Sequence, residues 1–268
     1  MSKPALRLAS FVRRKTAASR SFDRISAAAT LRQDADAQFQ LGLYYLSGRD
    51  ALHYPSIGVK WLTKAAEQGH AQAQHNLSMI YLTGLRARGP AATWMAELQT
   101  MTTGEKPASA VANSALLYPE GLDVTADAAQ SFKWAKAAAA QDLAMAQANL
   151  GMMYLRGVGC PQDFKEAHVW LHKAAVAGDA GGALGLGILL EHGLGLDADC
   201  ATAARWYQLA AEKGNDAAAT ALGVLYVEGR GVARDRHAGE KLLNGAAMRG
   251  NGFAREALRR LQEAAPAH

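Results

Sequence analysis

A unit of 36 residues recurs along most of this chain, and that period constrains the fold more tightly than any composition figure. Its clearest copy is AMAQANLGMMYLRGVGCPQDFKEAHVWLHKAAVAG, Ala144 to Gly178. With Leu150 as the origin, the copy sets Ala144, Ala146, Gly151, Tyr154, Gly157, Trp170, Ala174, Ala175 and Gly178 at fixed offsets. Moving 36 positions forward meets Ala180, Gly182, Leu186, Gly187, Leu190, Gly193, Trp206, Ala210, Ala211 and Gly214, and the next 36 meet Ala218, Leu222, Gly223, Tyr226, Gly229, Leu242, Ala246, Ala247 and Gly250. Moving 36 back meets Ala108, Ala110, Ala115, Tyr118, Gly121, Trp134, Ala138 and Ala139, with Ser114 in place of the Leu. Two further copies are centred on Leu77 and Leu41. A period in the thirties marks stacked helical units that bury their apolar faces only against their neighbours.

Local signals inside the unit agree on two helices. From Met145 to Arg156, Ala146, Leu150, Gly151 and Tyr154 fall on one stripe at helical spacing. Small residues on that stripe allow a close helix–helix approach. Gly157 supplies the left-handed residue that ends the helix, and Asp163 is the expected N-cap of the next one. Ala167, Trp170, Leu171 and Ala174 form the second helix's expected buried stripe. The predicted organisation is therefore all-α, with repeats at 34–69, 70–106, 107–142, 143–178, 179–214 and 215–250, followed by a capping helix and tail over 251–268. In the cap, Phe253, Ala257, Leu258 and Leu261 make the apolar side, against Arg255, Glu256, Arg259, Arg260 and Glu263.

The second repeat loses the pattern after Gly84, where RARGPAATWMAELQTMTTGEKP lacks Trp and Ala-Ala at their usual offsets. The third carries Pro119 in the last turn of its first helix, which predicts a kink or widening between residues 85 and 125.

Charge is unevenly placed. Residues 1–33 hold eight Lys and Arg against Asp23, a net of +7, and the rest of the chain is −2. This segment reads as a basic arm, as an organelle transit peptide, or as an extra helix packing on the first repeat through Phe22, Ile25 and Leu31. The sequence has no run of about 18 apolar residues, and no uninterrupted apolar stretch of the kind a secretory signal needs. Cys160 and Cys200 are too few for a disulfide framework, and a reducing cytoplasmic compartment is expected, or an organelle if the first residues are a transit peptide.

With these residues in view, the chain resembles the Sel-1-like repeat family, relatives of the tetratricopeptide repeat. The family pattern of small-x-small-x-x-x-Leu-Gly-x-x-Tyr, a Gly-rich loop and Trp followed by Ala-Ala matches ADAQFQLGLYY with WLTKAAEQG, and AMAQANLGMMYLRGVG with WLHKAAVAG. The resemblance spans about residues 34–250 and implies a right-handed α/α solenoid of about six two-helix repeats that acts as a non-catalytic scaffold or adaptor for a peptide or partner protein. It implies no cofactor and no catalytic residues. In such solenoids the first helices line the concave face. That points to Phe39, Leu43, His75, Met79, Leu116, Met145, Met152, Arg156, Leu184, Ile188, Glu191, His192, Val224 and Glu228 as partner-binding residues, with Leu46, Leu82, Ala112, Leu155, Thr220 and Val227 on the same positions. The competing reading is that such side chains pack against the next first helix. Met in such a groove suits varied apolar partners.

Other chemistries find little support. The Gly-x-Gly pairs at 157/159, 193/195 and 229/231 follow helices rather than strands, and no Gly-Lys-Ser/Thr follows them, so they read as turn glycines. His168 and His172 stand one helical turn apart but lack the Glu of a His-Glu-x-x-His metal motif, which leaves a solvated face. Some secreted members of the family bridge cysteines within each repeat, sometimes with reported affinity for β-lactam compounds; the pattern is absent here, which counts against hydrolysis of that kind. A third function class is tethering to an anionic membrane surface or nucleic acid through the basic segment, which salt would weaken.

Overall fold

The structure, a computed structural model, describes residues 17–47, 55–85 and 123–263. The described residues form twelve helices, and the sole bridge of β type among them joins Leu85 and Val124. They fall into two compact bodies, described separately.

The first holds α1 (Ala17–Leu31), α2 (Ala35–Ser47) and α3 (Pro55–Glu67). Asp34 accepts from the Ala37 amide and starts α2. Gly42 lets α3 approach so closely that a Cβ there would lie 2.9 Å from Leu62. Helix α1 packs on α2 with Phe22 against Tyr44, ring centroids 4.7 Å apart, and with Ala29 buried. Leu31, expected to pack, is 84% exposed beyond the last turn of contact.

The second body holds α4 (Ala71–Thr83), α5 (Ala128–Ala139), α6 (Ala144–Arg156), α7 (Phe164–Val176), α8 (Ala180–His192), α9 (Cys200–Glu212), α10 (Asp216–Glu228), α11 (Arg236–Met248) and α12 (Gly252–Glu263). The pairs α6–α7, α8–α9 and α10–α11 are built alike. Gly157 ends α6 at φ 68°, the left-handed conformation that glycine adopts without a Cβ clash. Asp163 then caps α7 through the Lys165 and Glu166 amides. Its own amide donates to the Tyr154 carbonyl at 3.0 Å. Asp199 and Asp235 repeat both bonds for α9 and α11.

The second helix meets the first through its most buried residue. Leu171, Tyr207 and Leu243 lie against Gly151, Gly187 and Gly223, where an added Cβ would come within 2.9 Å of each. The expectation that Trp170 belongs to this buried stripe is corrected: Trp170 and Trp206 are half-buried, one position short of the crossing. Trp170 donates from Nε1 to Glu166, and the Lys173 ammonium lies 4.5 Å from its ring centre. Such a tryptophan covers the pair from outside instead of filling it.

The remaining pair differs. Helix α4 packs against α5, although residues 86–122 separate them in sequence and lie outside the described residues. The irregular segment, Ser114, Leu116, Pro119 and most of the third repeat's first helix fall there. At the far end, α12 packs Ala254, Ala257, Leu258 and Leu261 against α10 and α11, whereas Phe253, expected on the apolar side, is 82% exposed. Arg259 occupies the position of Gly151 in the register, paired with Glu256 and Glu263. Arg259 and Arg260 together hold the Glu256 carboxyl down at about 2.

Candidate interaction surface

The first helices of the second body put the expected partner-binding residues into five columns. Two positions after the register leucine stand Met79, Met152, Ile188 and Val224, one on each of α4, α6, α8 and α10. All four are apolar and keep accessible area: Met79 is exposed and the others are half-buried. Six positions after the leucine, Arg156, His192 and Glu228 are exposed. Met145, on the first turn of α6, is 51% exposed.

The other two columns are largely packing. Five positions after the leucine, Leu155 and Val227 are buried; two before it, Thr220 is buried with its hydroxyl donating to the Asp216 carbonyl. Leu184 is half-buried against the core that joins α8 to its neighbours. In the first body Leu43 is half-buried, but Phe39 is 7% exposed and stacked on His70 with centroids 4.4 Å apart. Its assignment to an open face is corrected, because the ring is buried against the imidazole of His70.

Glu191 is corrected for a different reason. Its carboxylate accepts from the Tyr207 hydroxyl at 2.8 Å and pairs with Arg230 at 3.1 Å, and its side chain is only 12% exposed. Arg230 also reaches Glu228 at 3.2 Å and lies 3.9 Å from the Cys200 thiol. Burial, then the hydrogen bond to Glu191, push the Tyr207 phenol far above its ordinary range. The network ties α8, α9 and the loop after α10, so Glu191 joins neighbouring repeats. No local signal marks it, because its cation lies one repeat further along the chain.

His75 is half-buried with Nδ1 shielded and without a hydrogen-bond partner. Desolvation lowers its pKa, opposed in part by the charge of Asp179. Close by in the fold, Asn149 Nδ2 lies 3.0 Å from Met79 Sδ, a side-chain contact between α6 and α4. His168 and His172 stack with centroids 6.0 Å apart, and His172 meets Trp206 edge-on. Among the described residues no three His, Cys, Asp or Glu converge as metal ligands. Cys160 and Cys200 are free thiols, and burial raises the Cys160 pKa. A cleft of about 390 Å³ opens between α10, α11 and α12, walled by Val224, Leu243, Phe253 and Leu261 and edged by Glu228 and Arg260. None of the described helices is long and apolar enough to cross a membrane.

One set of polar residues escaped the sequence reading. Gln38, Gln74 and Gln147 are buried three positions before their register leucines. Gln38 accepts from Gln68 and Gln74 from Gln141, each at 2.7 Å, and Gln147 donates to Asp142 at 3.2 Å. A buried amide needs such partners. The signal was present in ADAQ, AQAQ and AMAQ, where the glutamine recurs at one register position in three repeats.

These features define an α-helical repeat protein whose units close on themselves and stack on their neighbours. The family model of the Sel1 repeat matches residues 35–70, 71–90, 108–143, 144–179, 180–215 and 216–251, and the chain belongs to that family. The fold is accordingly the all-α Sel1 repeat array of about six repeats. Sel1 repeat proteins are generally protein-interaction scaffolds, typically non-catalytic. Among solved structures, a Sel1 repeat protein from Oxalobacter formigenes is 25% identical with a TM-score of 0.67, over 88% of this chain and 80% of its own. The protective antigen c5321 of uropathogenic Escherichia coli, with an SLR fold, is 29% identical with a TM-score of 0.47, over 87% of this chain and 50% of its own. A putative Sel1 repeat protein from Klebsiella pneumoniae is 17% identical with a TM-score of 0.46, over 91% and 98%. A search of curated proteins gives no match.

Proposed function

We propose that this chain is a non-catalytic scaffold that binds a peptide or partner protein along the first-helix face of its second body. The observation that carries the reading is the column Met79, Met152, Ile188 and Val224: apolar, recurrent and left partly open on every first helix of the body, while Leu155, Thr220 and Val227 beside it are buried. An apolar row of this kind receives the side chains of an amphipathic or extended segment. Arg156, His192 and Glu228 border the row and set polar contacts at its edge. Two free thiols fit a reducing compartment such as the cytoplasm.

The test is capture of partners from native lysate by tagged full-length protein, its Met152→Glu variant, and a variant starting at Asp34, at low and physiological salt. Loss of a salt-insensitive partner in Met152→Glu, with the melting temperature kept, supports the reading. A partner lost only with the basic segment or with salt sinks it and transfers binding to residues 1–33.

A further inference from the structure

The pairing of α4 with α5 reproduces the turn and capping hydrogen bonds of a contiguous repeat. The Asp127 amide donates to the Tyr81 carbonyl at 2.7 Å, as Asp163 does to Tyr154, Asp199 to Leu190 and Asp235 to Tyr226. Asp127 caps α5 through the Gln130 amide, and Gly84 ends α4 at φ 70°, against 68° at Gly157. The turn differs in chain length. In the three contiguous pairs nine positions separate the two residues of this bond; Tyr81 and Asp127 are 46 apart, an excess of 37, which is the length of 86–122. Joining Leu85 to Asp123 would give Gly84-Leu85-Asp123-Val124-Thr125-Ala126-Asp127, with Gly and Asp six positions apart as in Gly157 to Asp163.

We propose that residues 86–122 are an insertion of one repeat length, plus one residue, in the turn of an otherwise complete repeat, and that the array closes without them. Backbone pairing marks both boundaries. Leu85 and Val124 exchange two hydrogen bonds, 2.8 and 2.7 Å, and so clamp the two strands of chain where the insertion leaves and returns. Inside the pair, Ser131 Oγ donates to the Ser78 carbonyl at 2.7 Å, and the two hydroxyls are 3.4 Å apart, both buried. Long additions at a surface turn cost little closure entropy, since each doubling of loop length adds only about 0.6 kcal/mol.

A functional consequence follows, and it rests on the reading of the first-helix column as the partner surface. The Asn149 amide reaches Met79 Sδ at 3.0 Å, so on this reading Met79 of α4 and the face of α6 that carries Met152 belong to one partner surface.

The pairing is tested in the full chain with Ser78→Cys and Ser131→Cys together, positions whose hydroxyls lie 3.4 Å apart. After mild oxidation, peptide mapping should find positions 78 and 131 linked in most molecules; two free thiols at these positions overturn the pairing. The second arm removes 86–122. A variant that unfolds cooperatively, with a melting temperature within a few degrees of the parent and the absolute helical signal of residues 71–85 and 124–263 kept, is the expected result. A variant that is aggregated or melts without cooperativity overturns the insertion. Neither arm uses a partner, so a failed Met152→Glu experiment would sink the binding reading while leaving these results to stand.

Discussion

The pairs α6–α7 and α4–α5 close the same hydrogen bonds around different cores. In α6–α7 the crossing is Gly151 beneath Leu171, and the missing Cβ is what lets the leucine be fully buried. In α4–α5 the same register positions hold Ser78 and Ala135. The smaller residue on the second helix leaves room for the serine's Cβ, and a buried hydroxyl bond from Ser131 joins the helices in place of aliphatic packing. The remaining pairs follow the first solution, with Gly42 and Leu62, Gly187 and Tyr207, Gly223 and Leu243. What the repeat keeps constant is the turn that leads to the crossing and a small residue on the first helix wherever the second brings a large one. The identity of either residue alone is free to change.

If that is the rule, the largest losses come from emptying a crossing of the Gly type. Tyr207→Ala should destabilise by about 3–5 kcal/mol, the range for a buried aromatic truncated to alanine. It also leaves Glu191 and Arg230 without the phenol. Thermal or urea unfolding measures it, and a loss below about 1 kcal/mol would remove Tyr207 from the core. Next comes Gly151→Ser, which drives a Cβ into Leu171 and should cost about 1–3 kcal/mol by overpacking. Adding Leu171→Ala converts this crossing to the α4–α5 type. The double variant should be more stable than the sum of the two single losses predicts, by about 0.5–3 kcal/mol. Strict additivity would break the size rule.

Much of this is legible in the amino-acid sequence. The 36-residue register, the glycine that ends each first helix and the aspartate that caps each second helix are local signals, and each depends on the conformation of its own few residues. The crossing is less so. Trp170 and Leu171 are adjacent, about 100° apart on a helix, and the more apolar bulk of the tryptophan favours it in a sequence reading. The residue that lies over Gly151 is Leu171, one position past the tryptophan. Phe39 and Glu191 fail for a common reason: burial of a first-helix side chain is decided by residues of other elements, His70 in one case and Tyr207 with Arg230 in the other. The α4–α5 pairing is out of reach because counting by 36 assumes that consecutive halves are partners.

Smaller effects separate the remaining elements. Ser131→Ala should cost about 1 kcal/mol, the net value of one hydrogen bond, and the equivalent exchange in α6–α7 has no counterpart because Ala167 already stands there. Trp170→Ala should cost about 1–2 kcal/mol of lost apolar contact, well under a core truncation, because the ring is half-buried. A loss as large as that of Tyr207→Ala would return Trp170 to the core.

The smallest effect is one of pH and sits on α4. Burial lowers the His75 pKa from its ordinary 6.5. Below about pH 6.5 the unfolded chain therefore binds a proton that the folded chain resists. The sign follows: the neutral ring's contribution is complete above that pH and is lost as pH falls toward the lower folded value. His168, lowered by burial and then by the charge of His172, acts in the same direction. Unfolding measured at pH 7.5 and again at pH 5.5 should show a smaller acid loss in His75→Gln than in the parent, with a further reduction on adding His168→Gln. Equal losses in parent and variant would place the His75 ring in water. The column beside Met79 would then be more open at α4 than its buried Nδ1 implies.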